Sequence, residues 1–308
     1  MGPVKSAVLV GIDWGTTHRR AYVLDAQGHC IRTHVDAQGA LASKGRFALA
    51  LRDLLLELQV DPGLVVMSGM VGSALGWQEA PYVSGAVALQ ALPQHWVEVQ
   101  EAPAGTRCVI VPGYCVRNSL GQPDVMRGEE TQLLGAVKMG HASGWFVLPG
   151  THSKWVELQA GRVVQLRTYM TGELFGLLTQ NGTLAAAAGS AGQVWDAAAF
   201  RLGVQAASQG SLSHQLFGCR ARVVCADMPA SSAHAYLSGL LIGGELHDVL
   251  QTTAQGERMA GFQLLGTPEL AAHYQSAAFQ LALQAEVLDA QAAFVTALAH
   301  IQMIVRHV

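Results

Sequence analysis

The chain has 308 residues, half of them hydrophobic and only 13% charged, which excludes a disordered chain or a single small module and suits two packed lobes. A formal net charge of −3 leaves no broad basic field, so no nucleic acid and no anionic membrane is expected as partner, and an anionic ligand would need local cations. The five cysteines, Cys30, Cys108, Cys115, Cys219 and Cys225, show no CxxC or zinc-like spacing and read as reduced thiols of a cytoplasmic protein. Met1, Gly2 and Ser6 formally match a myristoylation pattern, which Pro3 beside the acceptor glycine argues against.

In chain order, the apolar run Val8 to Ile12 predicts a buried strand that ends at Asp13-Trp14-Gly15-Thr16-Thr17, and it is too short for a signal or membrane segment. Arg20 to Leu24 follows as a second strand, and Asp25 to Gly28 turns the chain into His29 to His34. Phe47 to Leu58 has helical spacing with Leu51, Leu54, Leu55 and Leu58 on one face, and Leu64 to Met67 is a short strand before Ser68-Gly69. A loop-rich stretch holds Trp77, Tyr82 and Trp96, then Cys108 to Val111 predicts a strand and Gly128 to Met139 a helix.

The opening pattern then recurs. Trp145 to Leu148 is an apolar strand ending at Pro149-Gly150-Thr151-His152-Ser153-Lys154, followed by strands Trp155 to Gln159 and Val163 to Tyr169 about the Ala160-Gly161 turn. A strand, a Gly-Thr turn and a hairpin thus open each half of the chain, which reads as internal duplication, with lobes over residues 1–140 and 141–308. Helices are expected at Gly172 to Gln180, Leu184 to Leu202 and Ala233 to Leu250, where Gly239, Gly243 and Gly244 are spaced for close approach. Phe262 to Leu265 reads as a strand, Gly266-Thr267 as a turn, Pro268 as the first turn of a helix, and Ala290 to about Val305 as an amphipathic closing helix.

Phosphate binding needs backbone N–H groups converging where no bulky side chain blocks approach, and Gly15-Thr16-Thr17 meets that need. Asp13, at the strand end, is placed to hold a Mg²⁺ ion bridging phosphate oxygens. Gly150-Thr151-His152-Ser153-Lys154 offers a second such loop with a cation. Either turn alone could be an ordinary hairpin; two in the same context point to a polyphosphate. Neither a Walker A sequence nor a kinase glycine loop occurs.

The DxGTT run from Asp13 to Thr17, the second Gly-Thr hairpin and the late glycine turn resemble the actin, hexokinase and Hsp70 ATPase superfamily. More narrowly, IDWGTTHRRA, MSGMVGSALGWQEAPY, DVMRGEETQLLGA, LPGTHSKWV, MTGELF and YLSGLLIGGEL resemble the 2-dehydro-3-deoxygalactonokinases over nearly the whole chain, least from Ala185 to Met228. The resemblance implies a two-lobed ribonuclease-H-like α/β fold with a duplicated domain and an interlobe cleft. It also implies ATP-dependent phosphorylation of 2-dehydro-3-deoxy-D-galactonate at its terminal hydroxyl.

A primary hydroxyl is a poor nucleophile, so a carboxylate should orient it and take its proton. By resemblance to related sugar kinases Asp124, ahead of the connecting helix, is the first choice; Glu129 and Glu130 compete through a GxEE segment like that of the superfamily's polyphosphatases. Both glutamates could equally complement the helix dipole. The acid substrate needs a cation, for which Arg20 and Arg127 stand beside the motifs, while Lys154 suits phosphate charge. His152 could donate to phosphate or sugar acid, Trp77 and Tyr82 could wall the substrate or pack a core, and Gly266 resembles an adenosine loop. Gly243 and Gly244 could face that loop or serve helix packing. Another sugar or sugar-acid kinase of the superfamily, or a nucleotide switch of the actin or chaperone kind, remains open, and apolar helix faces would permit a homodimer.

Overall fold

The computed structural model describes residues 9–188, 195–253 and 259–306. The myristoylation pattern and Val8 lie outside the described residues. The first half runs β1 (Leu9–Trp14), β2 (Arg19–Leu24), β3 (Cys30–Asp36), α1 (Phe47–Leu58), β4 (Leu64–Gly69), the short β5 (Val83–Ser84) and β6 (Val97–Glu98), then β7 (Arg107–Ile110), β8 (Tyr114–Arg117), β9 (Pro123–Met126) and α2 (Glu129–Lys138). The second half runs β10 (Gly144–Leu148), β11 (Ser153–Gln159), β12 (Arg162–Tyr169), α3 (Thr171–Gln180), α4 (Gly182–Ala188), α5 (Ala197–Ala206), α6 (Leu212–Val224), α7 (Ala233–Thr253), β13 (Gly261–Leu265), α8 (Pro268–Gln280), β14 (Gln284–Leu288) and α9 (Ala290–Arg306).

The strand order of one sheet is β3-β2-β1-β4-β7-β6 and of another β12-β11-β10-β13-β14. In the first, the β1-β2-β3 meander is antiparallel and β4 and β7 are added parallel; in the second, β13 and β14 are likewise parallel additions to β10. The first five strands of one sheet match the other position for position, so the duplicated strand-turn-hairpin of the sequence is a duplicated sheet. The fold is the α/β, ribonuclease-H-like plan of the actin-like ATPases. By contact density the chain forms two units, one of Met1–Gly144, Val156–Leu166 and Asp289–Val308, the other of Trp145–Trp155 and Arg167–Leu288.

In the first unit, alternate β1 residues Val10, Ile12 and Trp14 pack with Val65 and Met67 of β4 against Leu51, Leu54 and Leu58 of α1. The opposite face carries Gly11, which has no side chain because a Cβ there would lie 2.0 Å from Leu298 of α9. The helices α2 and α9 meet as closely: a Cβ on Gly135 would fall 1.7 Å from the Ala293 carbonyl oxygen. In the second unit α5 and α7 pack through Gly203, Gly239 and Gly243, while a Cβ on Gly244 would meet nothing within 4 Å.

The helix expected from Leu184 to Leu202 is not continuous: α4 ends at Ala188, residues 189–194 lie outside the described residues, and Asp196 is extended. Its carboxylate accepts from the Ala198 and Ala199 N–H groups and starts a new helix, a cap that alanine-rich periodicity hides. Six further elements, β5, β6, β8, β9, α6 and β14, were not legible in the sequence. Among the described residues, no helix is long and apolar enough to cross a membrane.

Candidate active site

In the first unit the Gly15-Thr16-Thr17 turn joins β1 to β2, with both threonines exposed. Its shape is held from behind by Gly39 to Leu41, whose N–H groups donate to the carbonyls of Thr17 (3.2 Å), Gly15 (2.9 Å) and Thr16 (3.1 Å). Asp13 and Ser68 are paired across β1 and β4, and strand alternation puts both on the face away from α1. Beyond them the α2 N-terminus arrives: a Cβ on Gly128 would lie 3.2 Å from Gly69 Cα, and one on Gly69 2.8 Å from the Trp14 carbonyl oxygen.

Asp13 is half-buried, and its Oδ2 accepts from Arg20 Nη1 at 3.2 Å. Burial pushes its carboxyl above the ordinary range against the pull of Arg20, so a further cation would stabilise the ionised form. One such carboxylate with phosphate oxygens and water is a usual Mg²⁺ environment, so the residue fits that ion. Arg20 is exposed and its guanidinium donates to the Asp13 carboxylate.

The carboxylates at the start of α2 turn back on their own loop. Glu129 accepts from the Arg127 N–H at 3.0 Å and Glu130 from the Gly128 N–H at 2.7 Å. Glu130 is wholly buried; desolvation, reinforced by Glu129, pushes its carboxyl up to about 8, so it carries its proton at neutral pH. Asp124 stands on β9, half-buried, opposite Val116 of β8, and its Oδ1 accepts from the Val125 N–H at 2.7 Å. It is thus a strand residue four positions before the helix-capping Gly128, not part of the helix start.

Arg127 donates Nη2 to the Ala80 carbonyl at 2.7 Å and lies 4.2 Å above the Tyr82 ring. Its Nε and Nη1 are buried without a hydrogen-bond partner among the described residues, as are the hydroxyls of Ser68 and Thr131. Sequence reasoning passed over Ser68; its signal was a lone hydroxyl closing an apolar strand. Trp77 has the packing role: it stacks on Phe47, with ring centroids 6.3 Å apart, at the edge of the α1 core.

In the second unit Gly150, Thr151 and His152 are exposed at the β10–β11 turn. The first turn of α3 docks on them: Glu173 N–H donates to the Thr151 carbonyl at 3.0 Å, and His152 Nε2 meets the Glu173 carboxylate at 2.6 Å. Gly266 lies beside Pro149, where a Cβ would come within 3.2 Å of the proline ring, and Thr267 caps α8. Lys154 is buried and donates to Thr168 Oγ1 at 3.1 Å, with no carboxylate partner among the described residues. Ser153 departs from expectation. Its hydroxyl is wholly buried and donates to Glu245 at 3.0 Å, because β11 alternation puts Ser153 and Lys154 on opposite faces of the sheet and Glu245 lies on the Ser153 face. The hydroxyl is therefore no phosphate ligand.

The family model for 2-keto-3-deoxy-galactonokinase matches residues 13–301. The chain belongs to that family. It is 34% identical to the 2-dehydro-3-deoxygalactonokinase of Escherichia coli (strain K12) over 274 residues, 88% of this chain and 89% of the relative. A Rhizobium meliloti (strain 1021) protein named for the same activity is 33% identical, with 92% of each chain covered. A crystal structure from Sinorhizobium meliloti that carries the same kinase name superposes with a TM-score of 0.86 at 31% identity, covering 97% of this chain and 96% of the other. Component A of the (R)-2-hydroxyglutaryl-CoA dehydratase of Acidaminococcus fermentans, at 11% identity and a TM-score of 0.50, shares the fold alone. The protein is a carbohydrate kinase, and a kinase of this family uses ATP.

Proposed function

We propose that this kinase transfers the γ-phosphoryl group of ATP to the terminal hydroxyl of 2-dehydro-3-deoxy-D-galactonate, giving the 6-phosphate in galactonate breakdown. The observation that carries the phosphoryl-transfer reading is the recurrence of one exposed Gly-Thr turn at the same strand end in two matching sheets. Family membership supplies the substrate.

The Gly15–Thr17 and Gly150–Thr151 turns present backbone donors to phosphate oxygens, and Lys154, a buried ammonium with no ion pair among the described residues, supplies charge. Gly266 and the α8 N-terminus approach the adenosine. Asp13 would hold Mg²⁺, which when bound neutralises charge on the transferring group. Arg127, with Nε and Nη1 unpartnered beside Tyr82, receives the substrate carboxylate, and a buried charged donor lacking an acceptor is the reason to assign it so. His152 serves the turn through its contact with Glu173.

Asp124 takes the proton of the attacking hydroxyl, because Glu129 is folded back as a cap on the loop before α2. The cytoplasm is the compartment in keeping with five free thiols. Turnover of Asp124→Asn and Glu129→Gln, followed by coupled ADP release over a panel of keto-deoxy acids and aldonates, tests these roles. Asp124→Asn should lose roughly 10²- to 10⁴-fold in kcat and Glu129→Gln little. Full activity in Asp124→Asn removes the base assignment, and faster turnover of another acid removes the substrate.

A further inference from the structure

Glu245, in the middle of α7, is 2% exposed and faces no cation among its hydrogen-bond partners. Its Oε2 accepts from Ser153 Oγ at 3.0 Å and Trp155 Nε1 at 2.8 Å; the Tyr274 hydroxyl lies 2.9 Å from both oxygens, and the Thr171 hydroxyl donates to Oε1. Burying a carboxylate is unfavourable unless its lone pairs are filled, and a leucine would pack a helix without that penalty. What the four donors have in common is their place. Ser153 is the first residue of β11, directly after the Gly150–Thr151 turn, and Thr171 is the first residue of α3.

The helix that Thr171 opens rests on the turn itself: a Cβ on Gly172 would lie 2.3 Å from the Gly150 carbonyl oxygen, and Glu173 N–H donates to the Thr151 carbonyl. Tyr274 belongs to α8, whose leading Gly266 lies against Pro149, the residue before the turn. One carboxylate therefore ties together the strand leaving the turn, the helix seated on it and the helix behind it. Desolvation pushes the carboxyl's pKa up and the donors draw it back, so removing any donor weakens the case for a charge at this place.

We propose that Glu245 is a positioning residue for the nucleotide, fixing the Gly150–Thr151 turn through Ser153 and Thr171 so that its N–H groups stand where ATP phosphates bind. The inference rests on that turn being a phosphate loop. Steady-state kinetics on the full chain, with ATP and the sugar acid varied in turn, tests it. Glu245→Gln keeps the shape but sets an amide NH₂ against hydroxyl and indole donors; the KM for ATP should rise roughly tenfold or more, with the KM for the sugar acid within about twofold.

Ser153→Ala and Thr171→Val each cut one tie and should raise the ATP KM by roughly threefold to tenfold. They carry the test should Glu245→Gln not fold. A role in packing alone would reduce the active fraction, hence kcat, and leave both KM values unchanged. Gly150→Val reports on the underlying reading, since a Cβ there meets nothing within 4 Å among the described residues and a branched side chain would stand in the path of a phosphate bound at the turn. If Gly150→Val raises the ATP KM while the Glu245, Ser153 and Thr171 variants do not, the positioning role is overturned and the phosphate turn stands. If Gly150→Val leaves the ATP KM unchanged, the phosphate turn falls and the inference with it.

Discussion

Gly39 sits behind the Gly15–Thr17 turn, and Gly39→Ala tests whether the position of that turn governs nucleotide use. An added Cβ would lie 2.4 Å from the Thr17 carbonyl carbon, 2.5 Å from the Thr16 oxygen and 2.6 Å from the Thr17 nitrogen. Non-bonded heavy atoms rest about 3.5–4.0 Å apart, so the turn must retreat by roughly 1 Å. Gly39 is not among the positive-φ glycines, so alanine brings no backbone strain and the effect is steric. Overpacking of this kind costs about 1–3 kcal/mol, and displacing a binding group by about 1 Å costs up to roughly 10²-fold in rate. The assay is kcat/KM for ATP beside thermal unfolding, with Gly63→Ala as control because a Cβ there meets nothing within 4 Å. The expected result is a loss of about 10- to 100-fold in kcat/KM for ATP with the control unchanged. Gly39→Ala within twofold of the parent, even at lowered stability, would refute the reasoning.

Glu130, with its carboxyl raised to about 8 in the fold against an ordinary value near 4.5, binds its proton more tightly folded than unfolded. Its contribution to stability is therefore full below about pH 4.5 and declines through pH 8, at up to about 1.4 kcal/mol per pH unit. Glu130→Gln, a neutral isostere, should flatten that decline, so chemical denaturation from pH 5 to 8 should show the variant gaining on the parent as pH rises; parallel curves would count against a protonated Glu130. Lys154→Met puts an uncharged, unbranched side chain at this buried position. It should raise the KM for ATP by roughly tenfold while leaving thermal stability equal or higher, and an unchanged ATP KM would remove Lys154 from phosphate binding.

Local pattern alone determined much of this protein. The apolar run ending at Asp13, the Gly-Thr turns after β1 and β10, the proline opening α8 and the helical spacing of α1 and α9 are each fixed within a few residues, where periodicity and turn chemistry act. Repetition of the first of these patterns revealed the duplication, and the long segments around it revealed the family. The direction of a side chain relative to distant elements was decided elsewhere. Ser153 reads as a phosphate ligand beside Gly150 and Thr151 until α7 brings Glu245, 92 positions on, beneath it. Trp77 reads as either a substrate wall or a core residue until Phe47 of α1 takes its face, and the sequence carries no signal that the backbone of Thr17 closes on Gly39. Sequence spacing sets which residues share a strand or helix face, but what covers that face depends on which elements the finished sheets bring across it. That choice is made by packing between segments far apart in the chain.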